Sequence, residues 1–228
     1  MNSRLLRWQR AVGWLALVLV ALDVYFVFFY APTEKYMGDV QRLMYYHVAT
    51  AWNAYLAFGL ALVFSILYLW RRDERFDRWA VSAVEVGVVF TTLVLITGPL
   101  WARPVWNAWW KWDDPRLTST LILWFIYIAY LILRASIEGP RGKRIAAVFA
   151  VIGFVDVPIV HFSVQWWSSF HPQVISSQGV NMTGEMVFTL AYTSFAFMAL
   201  FFYLLLLRAN VERIKAETER LEERLSAD

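Results

Sequence analysis

The sequence predicts an all-α membrane protein, a single bundle of six transmembrane helices with both termini in the cytoplasm. Three observations carry this prediction. Hydrophobic residues make up 60% of the 228 positions and the mean hydropathy is +0.48, too apolar for a water-soluble domain of this length. Six apolar stretches reach the roughly 20 residues needed to cross about 30 Å of hydrocarbon. Lysine and arginine are shared very unevenly between the segments that join them.

The spans are expected at 11–30, 48–70, 79–100, 117–134, 145–165 and 185–207. The first follows Arg4, Arg7 and Arg10 as a signal peptide would, yet it is long and lacks a clean small-x-small cleavage site, so it reads as a retained anchor. Gly98-Pro99 and Pro158 are expected to bend the third and fifth spans near one face. Asp114 followed by Pro115 reads as an N-cap with proline at the first helical position, starting the fourth span. Together these form one membrane domain over residues 1–207. Residues 208–228 are a charged tail in which Leu207, Val211, Ile214, Leu221 and Leu225 continue an amphipathic helix, either to meet a partner helix or as a solvated extension.

Orientation follows from the cations. Sixteen of the 21 lie in the N-terminus, 71–78, 134–144 and the tail, leaving Lys35, Arg42, Arg103, Lys111 and Arg116 on the other side. Positive charge stays cytoplasmic, so 31–47, 101–116 and 166–184 face out; for a bacterial protein this means the inner membrane, with periplasmic loops. The net charge of +3 therefore reports topology, and its short clusters between apolar runs give no nucleic-acid stripe; the surrounding partner is lipid. With no cysteine, disulfides, thiolate metal sites and iron–sulfur clusters are excluded.

All three histidines, His47, His161 and His171, fall at or near the outward face. One interfacial histidine is ordinarily an amphipathic anchor, but three on one side suggest ligation, since two imidazoles at matching depth can hold a haem iron from opposite faces. Seven of the thirteen tryptophans (Trp101, Trp106, Trp109, Trp110, Trp112, Trp166 and Trp167) cluster in or beside the same outward segments. An interfacial belt would serve both faces. The spacing of Trp106, Trp109 and Trp110 predicts one helical face of indoles suited to a large flat ligand, with Arg103, Lys111 and Arg116 placed to pair with anionic groups at its rim. Asp113 is expected to orient that loop by accepting N–H bonds. Asp23, Glu85 and Asp156 lie within spans, where ionisable groups often mark function, but they are scattered and are read as bundle-interior hydrogen bonding.

The segment from Trp101 to Ser119 (WARPVWNAWWKWDDPRLTS), with Met44-Tyr45-Tyr46-His47 before it and the stretch from Pro158 to His171 after it, resembles the tryptophan-rich (WWD) haem-handling family of cytochrome c maturation. The resemblance covers most of the chain. It implies that His47 and His171 are axial ligands to the iron of a b-type haem and that Trp101, Trp106, Trp109, Trp110, Trp112 and Asp113 cradle the macrocycle, with Arg103 and Arg116 at its edge. It further implies delivery to the periplasmic haem chaperone CcmE, and membership of an ABC-type complex with CcmA, CcmB and the small protein CcmD. Two positions depart from the family pattern, Ala102 and Asn107 standing where glycines are usual, and Asp113-Asp114-Pro115 is one residue longer, leaving either Asp113 or Asp114 as the family's aspartate, with Asp113 favoured.

Haem delivery, with lyase-type attachment to the chaperone left open and no catalytic residue assigned, is the leading reading. A cytochrome c synthetase would carry further histidines within its spans, and a quinone-linked bis-His electron carrier would hold haem inside the bundle. A haem-free permease or scaffold subunit is the remaining alternative. No nucleotide-binding motif is present, so any ATP use belongs to partners.

Overall fold

A computed structural model of the chain describes residues 3–167, 169, 171, 175–176, 179–180 and 182–227. Seven α-helices account for most of it: α1 (Ser3–Tyr25), α2 (Arg42–Arg71), α3 (Glu74–Trp106), α4 (Pro115–Ser136), α5 (Gly139–Gly153), α6 (Asp156–Trp166) and α7 (Gly184–Ala227). With α5 and α6 taken together, six stretches are long and apolar enough to cross a membrane. The protein is therefore a polytopic helical membrane protein, as its apolar runs require. Strand structure among the described residues is confined to a ladder pairing Ile175 with Val180 and Ser176 with Gly179, plus a lone bridge from Glu34 to Gly38.

α1 ends in a π-turn over Phe26–Tyr30, after which Ala31 is extended because Pro32 follows it. The carbonyls left open there are taken up by Arg42, whose guanidinium donates to Val27 O and, at 3.1 Å, to Ala31 O, and also pairs with Asp39 at 2.9 Å. This cation, an exception to the charge asymmetry, is thus spent on closing a helix end. α2 and α3 pair along much of their length, and small buried side chains line the middle of the pairing, Ala54, Ala57 and Ala61 on α2 and Ala80, Ala83 and Gly87 on α3, with Gly87 set against Ala57. Close backbone approach of this kind substitutes for the hydrophobic drive that is missing between helices in lipid. Gly87 also leaves room for Phe58, which stacks on Tyr127 of α4 with ring centroids 3.7 Å apart and planes at 4°.

The fifth span, Gly139–Trp166, is bent at Phe154–Val155, nearer its middle than its outer end: both residues keep right-handed helical backbone, but Pro158 has no N–H to offer Phe154 O, which accepts instead from Val157 N at 3.0 Å, and α5 and α6 are the two arms of the bend. The tail continues the last span as a helix, the continuation its apolar spacing predicts, with α7 running unbroken for 44 residues through it. At the end of the bundle where α3 begins and α4 ends, Arg134 makes two 2.7 Å bonds to buried Asp77 and Lys143 meets Glu74 at 2.9 Å. Arg208 of α7 pairs with both oxygens of Glu85, which explains that in-span carboxylate. Asp23 lies 2.6 Å from Thr193 Oγ1, while one oxygen each of Asp23 and Asp156 has no hydrogen-bond partner among the described residues.

Candidate functional site

The opposite end of the bundle contains a cavity of about 680 Å³, within the range of small-molecule sites. One face of α2 lines it with Met44, His47, Val48, Ala51, Trp52 and Tyr55, the i, i+3, i+4, i+7 stripe of a helix. α3 contributes Gly98, Pro99, Trp101 and Trp106; α4 contributes Arg116; α6 contributes His161 and Gln165; and α7 contributes Val187, Leu190 and Ser194. Trp110 and His171 close it from the outer segments. All three histidines share one cavity although they lie on three different segments.

His47 and His171 face each other with ring centroids 6.0 Å apart and planes at 40°. Two imidazoles bound to one metal through bonds of about 2.0 Å have centroids roughly 6 Å apart, so the pair stands at ligating separation. His47 sits in the second turn of α2, and its Nδ1 is 2.9 Å from Thr97 Oγ1 on α3. His171 follows α6 and precedes the short ladder; its backbone N–H donates to Ser169 Oγ at 3.0 Å, and Ser169 Oγ donates to Asp114 Oδ2 at 2.7 Å. Burial, the Arg116 guanidinium and His47 pull the His171 imidazole from its ordinary 6.5 down to about 3, against an opposing pull from Asp114. It is neutral at physiological pH, the form that ligates metal. His161 packs instead between Trp52 and Tyr55, at centroid distances of 6.0 and 6.1 Å.

The aromatic loop differs from the single helical face expected of it. α3 stops at Trp106, and Asn107 takes a left-handed conformation at φ 53° that a side chain rarely adopts unless it is glycine or asparagine. Residues 107–114 are irregular, so Trp106, Trp109 and Trp110 do not share a helix face. Trp101, 7% exposed, packs edge-on to Trp106 at 5.2 Å, and both rings lie beside His171 at 6.5 and 6.1 Å. These two and Trp110 line the cavity, whereas Trp109 and Trp112, 57% and 72% exposed, do not. The indole N–H groups of Trp101 and Trp110 are buried and lack hydrogen-bond partners among the described residues.

The charged candidates divide in the same way. Arg116 lines the cavity; its Nη2 donates to His161 O at 2.7 Å, and its buried Nε has no partner among the described residues. Arg103 is exposed and spent on the end of α3, donating to the carbonyl and side-chain oxygen of Asn107 at 3.0 and 2.5 Å. Asp113 is exposed, while Asp114 is 1% exposed and does two jobs: Oδ1 caps α4 by accepting from the N–H groups of Arg116 and Leu117, and Oδ2 holds Ser169. Of the two aspartates, only Asp114 is tied to a histidine of the cavity. Sequence reasoning missed Thr97, Tyr55, Gln165 and Ser169, whose only local signal was adjacency to Gly98-Pro99, a helical spacing from His47 and proximity to the two flanking histidines.

No group of three or more His, Cys, Asp or Glu residues is placed to hold a bare metal ion among the described residues. Two imidazoles, flat aromatic walls and a half-buried guanidinium whose Nε–H has no partner among the described residues fit instead a planar anionic metallo-macrocycle, whose own nitrogens would complete the coordination. A family model described as CcmC, heme exporter protein C, matches residues 1–224. A ccmC-like cytochrome c biosynthesis protein of Marchantia polymorpha mitochondria is 34% identical over 190 residues, covering 82% of this chain and 81% of that one. Heme exporter protein C of Bradyrhizobium diazoefficiens is 33% identical over 219 residues, covering 93% and 82%. Heme exporter protein C of Escherichia coli K12 is 36% identical over 166 residues, covering 70% and 66%.

Proposed function

The chain belongs to the heme exporter protein C family, and we propose that it holds haem as cargo in the cavity between His47 and His171 and presents it for c-type cytochrome maturation. The observation that supports this most directly is the pair of imidazoles 6.0 Å apart lining a cavity walled in part by tryptophan. In this reading His47 and His171 are the axial ligands, Trp101, Trp106 and Trp110 pack against the macrocycle, and Arg116 offers its Nε–H, which has no partner among the described residues, to a propionate. Trp109 and Trp112, on the outer surface, are left to contact a partner, as is Asp113. The cavity end is the periplasmic end of an inner-membrane protein, following the cation asymmetry. The recipient is a periplasmic haem chaperone of the CcmE type, and CcmA, CcmB and CcmD are the expected companions in the membrane.

The chain's own residues explain how cargo would be held and kept exchangeable. Neutral imidazoles bind iron without first losing a proton, and an apolar enclosure strengthens the pairing of Arg116 with an anion. The test is the absorption spectrum of detergent-purified protein, expressed with the chaperone, for wild type, His47→Ala and His171→Ala. Low-spin haem in wild type, lost or turned high-spin in each variant, is the expected result. Haem-free wild type, or unchanged spectra in both variants, makes the chain a docking subunit instead.

A further inference from the structure

An imidazole offers its lone pair in one direction only when its other nitrogen is committed, and the structure shows what commits it in His47. Thr97 Oγ1 is 2.9 Å from His47 Nδ1 and 2.7 Å from Leu93 O, one turn back on α3. A hydroxyl carries a single hydrogen. Two oxygens approach to 2.7 Å only with a hydrogen between them, so the threonine donates to Leu93 and has only lone pairs left for the histidine. His47 Nδ1 is therefore the donor, which leaves Nε2 as the nitrogen bearing the free pair. Gly98 completes the seat, since a Cβ there would stand 3.3 Å from His47 Cε1.

We propose that Thr97 is a positioning residue that fixes the tautomer and orientation of His47, so that Nε2 is the atom offered to the cavity. The proposal rests on the reading of His47 as a haem ligand. Threonine suits the task because its β-branched side chain is stiff and its back-bond to Leu93 prevents the hydroxyl from turning its hydrogen toward the ring. The accepted bond also raises the basicity of Nε2, as the outer partners of metal-bound histidines do. His171 has no equivalent, because its Nδ1 is buried without a hydrogen-bond partner among the described residues.

The experiment loads the purified full-length chain with ferric haem in detergent and compares wild type, Thr97→Val, Thr97→Ser and His47→Ala. Three quantities are read: the spectrum, the rate of haem loss to an excess of a haem-scavenging apoprotein, and the midpoint potential. Thr97→Val keeps the shape and removes the acceptor; it is expected to lose haem about 10 to 100-fold faster and to raise the potential, while Thr97→Ser stays near wild type. If Val behaves as wild type, or Ser fails as badly as Val, while His47→Ala still abolishes the six-coordinate spectrum, Thr97 does not position the ligand. An unchanged spectrum in His47→Ala overturns the ligand reading itself. Should Thr97→Val not accumulate, Thr97→Ala set against Thr97→Ser makes the same contrast.

Discussion

The two walls that carry His47 and His171 hold their histidines in opposite ways. His47 stands on a regular helix, its ring hydrogen-bonded to a neighbouring helix and backed by Gly98. His171 stands between helices, held through its backbone by Ser169 and, through Ser169, by the cap of α4, with no hydrogen-bond partner for its ring nitrogen Nδ1 among the described residues. One ring is fixed by a hydrogen bond of its own; the other is held by the chain that bears it and by the indoles of Trp101 and Trp106 beside it. In the haem-carrying reading, His47 is then the anchor and His171 the ligand that can be exchanged. A carrier needs both, because a cargo held equally firmly on both sides has no side from which to leave.

The largest expected effect tests that asymmetry directly. His47→Ala should weaken haem retention by about 100-fold or more, whereas His171→Ala should leave high-spin haem held on His47 with a loss of about 10-fold, both measured as dissociation rates. Equal losses would erase the distinction between the walls. Next comes the aromatic lining: Trp110→Leu should cost retention about fivefold, in line with roughly 1 kcal/mol of aromatic contact, and Trp112→Leu should cost retention nothing, because only the first lines the cavity. Asp114→Ala should cost about 1 kcal/mol of stability through the lost cap and should speed haem loss a few-fold through the freed Ser169, while Asp113→Ala moves neither in thermal unfolding or dissociation assays.

The smallest effect concerns pH. The folded protein holds His171 neutral down to about 3, whereas the unfolded chain takes up a proton below the ordinary 6.5. Proton uptake by the unfolded state means that falling pH destabilises the fold, starting near 6.5 and continuing toward 3. In the haem-free protein, His171→Gln should flatten this part of a denaturation-against-pH curve. Haem retention through His171 should meanwhile change less than about twofold between pH 8 and 5.

The spans were legible because lipid demands long apolar runs, and those runs cannot be mistaken for anything else in 228 residues. Their ends were not. α2 begins at Arg42 and α3 continues to Trp106, well beyond the apolar windows, because caps and an αL asparagine decide where a helix stops. The same asparagine turned the spacing of Trp106, Trp109 and Trp110 from a shared face into a loop. The structure brings His47 and His171 into one cavity, but the tie between Asp114 and the His171 segment runs through Ser169, some 55 residues away, which no local pattern connects to either aspartate. Thr97 was equally invisible, since its role exists only where α3 crosses His47. Arg103 and Arg116 looked alike as rim cations, and their difference is one of helix ends, the C-terminus of α3 for one and the N-terminus of α4 for the other.

α7 is about 66 Å long at 1.5 Å per residue, some twice what a bilayer core requires. Near one end Val187, Leu190 and Ser194 form part of the cavity wall; near the middle Arg208 grips Glu85, and toward the other end Arg220 reaches Glu74 at 3.4 Å. An unbroken rod of this kind behaves as a lever. A tilt of about 5° about its midpoint carries each end sideways by roughly 3 Å, in opposite directions. A push on the charged end therefore arrives at the aromatic end as a change in the width of the cavity, without any residue between them having to change its conformation.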